Sequence, residues 1–176
     1  MTTAVHTYGA VVPQPVHFDD LDAMGVLHNA RYAVLVERAI VAWWAERGVS
    51  FTGGRPTTPD AFNVVREYQI TFHRPIRGTG DINIRFWLDR MGTTSADYSF
   101  QVTSATGAET NGNGAAEANG AGTGESEATG NGDADVSGET VYAEGRRINV
   151  RLDPTTMRPA PWTDEGRVLA ATLLRH

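Results

Sequence analysis

The densest run of reactive side chains is His17-Phe18-Asp19-Asp20-Leu21-Asp22-Ala23-Met24-Gly25-Val26-Leu27-His28-Asn29-Ala30-Arg31-Tyr32. It leads into the first residues of a segment with helical periodicity. The start of a helix carries unpaired backbone N–H groups and the positive end of the helix dipole, which together favour negative charge. A carbonyl oxygen gaining charge near Asn29 is therefore stabilised, and Asp22, a few residues earlier, can face that carbonyl with a carboxylate. Gly25 lets a substrate approach the backbone closely. A carboxylate opposite an oxyanion site suits hydrolysis of an acyl group. Asp is also favoured at helix caps and turns, so a purely structural role for Asp22 stays open at this level. His28 is the other acid–base candidate, since histidine titrates near neutral pH. Its place next to the helix start fits a pocket-lining role at least as well as proton transfer. Asp20 is expected to bond to loop N–H groups, and Asp19 to be solvated.

Other chemistries are excluded by residue type and spacing. There is no cysteine, hence no disulfide, thiolate metal site or cysteine nucleophile. No Gly-x-Ser-x-Gly elbow, phosphate loop or dinucleotide fingerprint occurs. Asp19, Asp20 and Asp22 lack the interleaved Gly and Glu of a calcium loop, and His6, His17, His73 and His176 lack zinc spacing. The expectation is a site without metal or organic cofactor.

The elements that must position these residues follow from periodicity. From Asn29 to Arg47 the apolar residues Tyr32, Leu35, Val36, Ala39, Ile40 and Trp43 recur at helical spacing, and Gly48 supplies a stop. The charges do not gather on one face, which predicts a helix covered on most sides. Strands are predicted over Tyr8–Phe18, Phe62–His73, Asp81–Asp89 and Thr94–Val102, with Val141–Leu152 continuing the alternation. Strand, helix, then four strands predicts an α+β fold: an antiparallel sheet of about five strands wrapped around one long central helix. Trp87 and Tyr142 suggest a half-apolar outer face, and that face or a sheet edge is expected to be covered by a second subunit. Glu37, mid-helix, is expected to pair with a nearby arginine such as Arg38 or Arg66. Arg146, Arg147 and Arg151 either bind an anion or solubilise an edge strand.

Residues 1–176 are read as one domain interrupted by a Gly/Ala/Glu-rich insertion at about 104–139. That interval holds nine Gly, eight Ala and seven acidic residues with no basic or aromatic side chain, too little apolar surface to offset backbone ordering. A disordered loop between two paired strands is expected. The net charge of −6 is local to it, because the remaining 140 residues carry 15 basic and 14 acidic side chains. No nucleic-acid partner is expected from that balance. The longest apolar run, Ala39–Ala45, is far short of the roughly 20 residues of a spanning helix. The first 15 residues hold no Lys or Arg, so neither anchor nor secretory signal is expected, and the absence of cysteine fits the cytoplasm.

Asp20, Asp22, Gly25, Leu27, Asn29 and Tyr32 together resemble the signature D-x-D-x-x-G-x-[VL]-x-[NHYP]-x-x-Y of the hotdog-fold thioesterases of the 4-hydroxybenzoyl-CoA and bacterial acyl-CoA type. Phe72-His73-Arg74-Pro75-Ile76 with Gly80-Asp81 is similar to that family's R-P-hydrophobic, G-D turn, and Arg90-Met91-Gly92-Thr93-Thr94-Ser95 to its R-x-G-[RKT]-S-S hairpin. The resemblance runs from about Tyr8 to Leu152. It implies an acyl-CoA thioesterase acting as a homodimer or homotetramer, with sites at the subunit interface. Asp22 then matches the catalytic carboxylate, as nucleophile or general base, and the N–H near Asn29 the oxyanion donor. Gly25, Val26 and Leu27 line the substrate, and Arg90, Gly92 and Thr93 form the hairpin that approaches the CoA phosphates. Val26 stands where many members have His, and Thr93 where a basic residue is common. Two other readings share the fold: a thioesterase for acyl or polyketide chains on a carrier protein, and a non-catalytic acyl-CoA-binding protein.

Overall fold

The computed structural model describes residues 8–105 and 139–175. Strand β1 (Ala10–Val16) leads through a single turn at Phe18–Asp20 to helix α1 (Asn29–Ala45). The two-residue strands β2 (Phe51–Thr52) and β3 (Arg55–Pro56) form a small hairpin, followed by β4 (Asn63–Phe72), β5 (Gly80–Met91), β6 (Ser95–Ser104) and β7 (Val141–Arg151). A C-terminal helix α2 (Asp164–Ala170) closes the chain. The β2–β3 hairpin and α2 are additions to the predicted elements; both are too short for periodicity to reveal.

The main sheet has five strands in the order β1-β5-β6-β7-β4, and every pairing is antiparallel. Strand β7 is interior, flanked by β6 and β4, which removes the edge-strand alternative for Arg146, Arg147 and Arg151. The expected insertion at 104–139 lies, apart from its ends, outside the described residues. On either side of it Thr103 is in register with Val141.

One face of the sheet packs on α1, which is 17 residues long. Ile84, Phe86, Leu88, Phe100 and Val102 from the strands meet Leu35, Val36, Ala39 and Ile40 from the helix, all buried. Alternation along β5 and β6 delivers these side chains to one face. The helix starts where His28 and Asn29 cap it: His28 Nδ1 and Asn29 Oδ1 accept the Ala30 N–H at 3.2 and 2.8 Å. It stops where Gly48 turns left-handed (φ 84°) and the Val49 N–H returns to the Trp44 carbonyl at 3.0 Å.

Three sequence expectations are corrected. Trp87 is only 9% exposed, covered within the protomer by Tyr8 and hydrogen-bonded through its indole N–H to Asp89 at 3.0 Å. Glu37 pairs neither with Arg38 nor with Arg66 but with the buried Arg147 at 3.7 Å, because β7 places Arg147 on the helix-facing side. Arg146 and Arg151 are also occupied, by Asp97 at 3.0 Å and Asp60 at 3.2 Å.

Candidate active site at the start of helix α1

Between β1 and α1 the chain folds into a loop that is fastened at both ends. The buried Asp20 accepts the His17 N–H at 2.9 Å and faces Arg31 Nε at 3.3 Å, while its carbonyl accepts the His28 N–H at 3.0 Å. Further along, the Leu27 N–H donates to the Ile76 carbonyl at 2.9 Å and the Gly78 N–H to the Gly25 carbonyl at 3.0 Å. The turn before β5 thereby zips onto the loop.

Asp22 sits at the centre of a tight turn. Its Oδ1 accepts the N–H groups of Met24 at 2.8 Å and Val26 at 3.1 Å. Its own N–H donates to the Val26 carbonyl at 2.8 Å. Gly25 takes the left-handed backbone conformation (φ 70°) that closes this turn. Oδ2 has no hydrogen-bond partner among the described residues. The carboxylate is therefore oriented through one oxygen and unengaged at the other. The turn-capping role and a chemical role are both compatible with this geometry.

Asp22, Val26, Leu27, His28 and Asn29 line one depression of about 440 Å³. Gly25 closes the turn beside it. Of the first-turn N–H groups of α1, that of Ala30 is taken by the caps and that of Arg31 by the His28 carbonyl. The Asn29 N–H has no acceptor among the described residues. His28, accepting at Nδ1, carries its proton on Nε2 when neutral.

Arg90, Gly92 and Thr93 are not part of this cluster. They lie at the opposite end of β5 from Gly80, roughly 36 Å away along a strand of this length. Arg90 pairs with Asp97 at 3.3 Å, and the Gly92 carbonyl accepts from Arg167 at 2.7 Å. The Thr93 carbonyl accepts the Trp162 N–H at 3.0 Å. Sequence reasoning did not place Tyr32, Phe72 and Arg74 in the site, yet all three line the depression. Tyr32 and Phe72 meet edge to face at 5.0 Å. Arg74 is exposed and makes no ion pair among the described residues. The Phe72-His73-Arg74-Pro75 run signalled Phe72 and Arg74, because a turn next to the Gly80 end of β5 must face the loop that β1 feeds, and Tyr32 closes the motif that starts at Asp20. Among the described residues no group of three or more His, Asp or Glu is placed to hold a metal.

A five-stranded antiparallel sheet carrying one helix, with a pocket at that helix's start, defines the hotdog class. The thioesterase superfamily model matches residues 24–110, just under half of the chain, and together with the hotdog fold it supports a thioester hydrolase. The matched stretch begins just after Asp22. A protein from Pseudomonas aeruginosa is similar at 17% identity over 96% of this chain and 93% of its own, with a TM-score of 0.68. A 1,4-dihydroxy-2-naphthoyl-CoA thioesterase from Synechocystis is similar at 10% identity, covering 94% of this chain and 97% of its own, with a TM-score of 0.65. A Thermus thermophilus thioesterase, solved with coenzyme A and zinc, is similar at 19% identity over 92% and 96%, with a TM-score of 0.61. At such identities the likeness to these structures establishes the fold. No curated protein sequence matches the chain. No helix among the described residues is long and apolar enough to cross a membrane.

Proposed function

We propose that the protein hydrolyses acyl-CoA thioesters with Asp22 as its catalytic carboxylate. The observation that carries this reading is one oriented carboxylate and one unpaired helix-start N–H, Asp22 and Asn29, lining a single depression. The thioester carbonyl oxygen accepts from the Asn29 N–H, where the helix dipole stabilises the charge that develops. Asp22 Oδ2 removes a proton from water as the water oxygen bonds to the carbonyl carbon, or bonds to that carbon itself, in which case water afterwards cleaves the resulting acyl–Asp22 anhydride to free acid and carboxylate. Collapse of the tetrahedral species breaks the C–S bond, and the thiolate leaves with the electron pair. His28 and Tyr32 shape the pocket, and Gly25, Val26 and Leu27 present backbone to the substrate.

The CoA phosphates need cations, and Arg74 supplies one at the pocket. Arg90, Gly92 and Thr93 contribute only if the hairpin of a second copy approaches, which is the homodimer or homotetramer that the resemblance implies. The fold of a relative solved with coenzyme A supports the same substrate class.

The test is thiol release from short, long and aromatic acyl-CoAs by wild type and Asp22→Asn in parallel. Asparagine retains an oxygen for the Met24 and Val26 N–H groups, so the loop persists while the carboxylate chemistry is lost. Turnover by wild type that falls at least about a hundredfold in the variant is the expected result, on the scale of general base catalysis. Equal rates overturn the role of Asp22. Turnover confined to acyl chains on a carrier protein moves the substrate class, and tight acyl-CoA binding without turnover makes the protein a binder.

A further inference from the structure

A second cavity, of about 340 Å³, lies at the other end of α1. Ile40, Val41 and Trp44 of the helix line it together with Phe51, Tyr98 and Trp162. Its size falls within the range of small-molecule pockets, and its lining is apolar and aromatic. The polar groups are neutral or already paired. The Trp44 indole N–H donates to the Tyr98 hydroxyl at 3.0 Å, and burial pushes the Tyr98 phenol up to about 12, so it stays protonated. Asp60, at the wall, is bound by the Thr163 N–H at 3.1 Å and by Arg151 at 3.2 Å. The buried Trp162 indole N–H has no acceptor among the described residues. A charged ligand finds no counter-ion here; a hydrocarbon finds apolar walls.

Helix α1 borders both this cavity and the candidate site, and one of its faces runs from one towards the other. Ala30, Val34, Glu37, Val41 and Trp44 succeed one another at alternating spacings of four and three residues, and so form a single stripe. Val34 and Val41 are 36% and 53% exposed, and the one charge on the stripe, Glu37, is paired with Arg147. From Asn29 the rise of the helix reaches Ile40 after about 16 Å and Trp44 after about 22 Å. With C–C bonds of about 1.5 Å, an extended chain advances roughly 1.25 Å per carbon, which corresponds to about 13 to 18 carbons.

We propose that this cavity receives the distal end of a long acyl chain, about 13 to 18 carbons, whose thioester lies at Asp22 and Asn29. The inference rests on the thioesterase reading for the position of the acyl head, while the cavity's affinity for hydrocarbon is independent of it. Two variants fill the space, Val41→Phe from the helix and Ala61→Phe from the turn before β4. Each is expected to lower the palmitoyl-CoA to butyryl-CoA ratio of kcat/KM at least about tenfold, the cost of roughly 1.4 kcal/mol of chain binding. An unchanged ratio in both variants overturns the proposal.

Binding of cis-parinaric acid, an 18-carbon polyene fatty acid, separates this outcome from failure of the thioesterase reading. Saturable binding to the wild-type protein, with energy transfer from Trp44 and Trp162, is expected, and it should weaken in Val41→Phe. If wild type hydrolyses no acyl-CoA yet binds this probe in that manner, the cavity assignment stands without the enzymatic one. Absence of binding to wild type overturns it.

Discussion

Asp20 Oδ1 lies 3.3 Å from Arg31 Nε while its Oδ2 accepts the His17 N–H at 2.9 Å, so one side chain ties the end of β1 to the first turn of α1. Asp20 is 3% exposed, whereas the Arg31 side chain is 37% exposed and its charge is screened. The greater contribution therefore comes from the buried N–H acceptor, not from the ion pair. Asp20→Ala should destabilise the protein by about 2–3 kcal/mol in urea unfolding, with Asp20→Asn closer to wild type. Equal losses in the two variants would assign the effect to the charge instead.

Arg74 is the cation that the depression itself provides. Its substitution should act on substrate binding through phosphate, not on the chemical step. Arg74→Ala is expected to raise KM for an acyl-CoA about fivefold, on the scale of a roughly 1 kcal/mol exposed charge contact, with kcat nearly constant. The same acyl group on N-acetylcysteamine, which has no phosphates, should show no such rise. A parallel rise on both thioesters would place Arg74 at the acyl group.

Two glycines are expected to respond to alanine for different reasons. At Gly25 nothing lies within 4 Å of an added Cβ, so Gly25→Ala meets only the cost of φ 70°, about 1 kcal/mol. At Gly145, in the interior strand, an added Cβ would overlap the Gln69 carbonyl oxygen and the Phe100 ring. Gly145→Ala should cost more than about 3 kcal/mol or prevent soluble expression. Thermal unfolding of Gly25→Ala beside the soluble yield of Gly145→Ala checks both. A well-folded Gly145→Ala protein would refute the crowding argument.

The fold was legible because its long elements repeat a simple period. Alternation along β5 and β6, and helical spacing from Tyr32 to Trp43, each specify a buried face without outside help. What escaped was short or depended on strand order. The β2–β3 hairpin has two residues per strand, and α2 has two turns. Arg147 read as a surface cation because nothing in the sequence placed β7 between β6 and β4, where its side chain is carried beneath the helix to Glu37. The loop from Asp20 to Asn29 was legible in residue type and order, since its turn chemistry is local. The separation of Arg90 from Asp22 was not, because both ends of a strand look equally near a motif read along the chain.

Tyr68 and Tyr98 make alkaline stability the remaining test. Burial raises both phenols, Tyr98 from 10.0 to about 12 against the opposing effect of the Trp44 hydrogen bond, and Tyr68 further still. A phenol that holds its proton more tightly when folded contributes its full stabilisation below about pH 10, the unfolded value. The contribution is lost as pH rises from about 10 through the folded value, some 2–3 kcal/mol for Tyr98. The Tyr68 hydroxyl is buried with no hydrogen-bond partner among the described residues. Tyr68→Phe should therefore be neutral or stabilising by about 1 kcal/mol near pH 7, and should lose less stability above about pH 10. Tyr98→Phe should also flatten the alkaline limb, but start about 1 kcal/mol lower because the Trp44 N–H loses its acceptor. Urea midpoints at about pH 8 and about pH 11 for wild type and both variants decide the matter. An alkaline loss in Tyr68→Phe as large as that of wild type would show that the Tyr68 phenol is not held protonated by the fold.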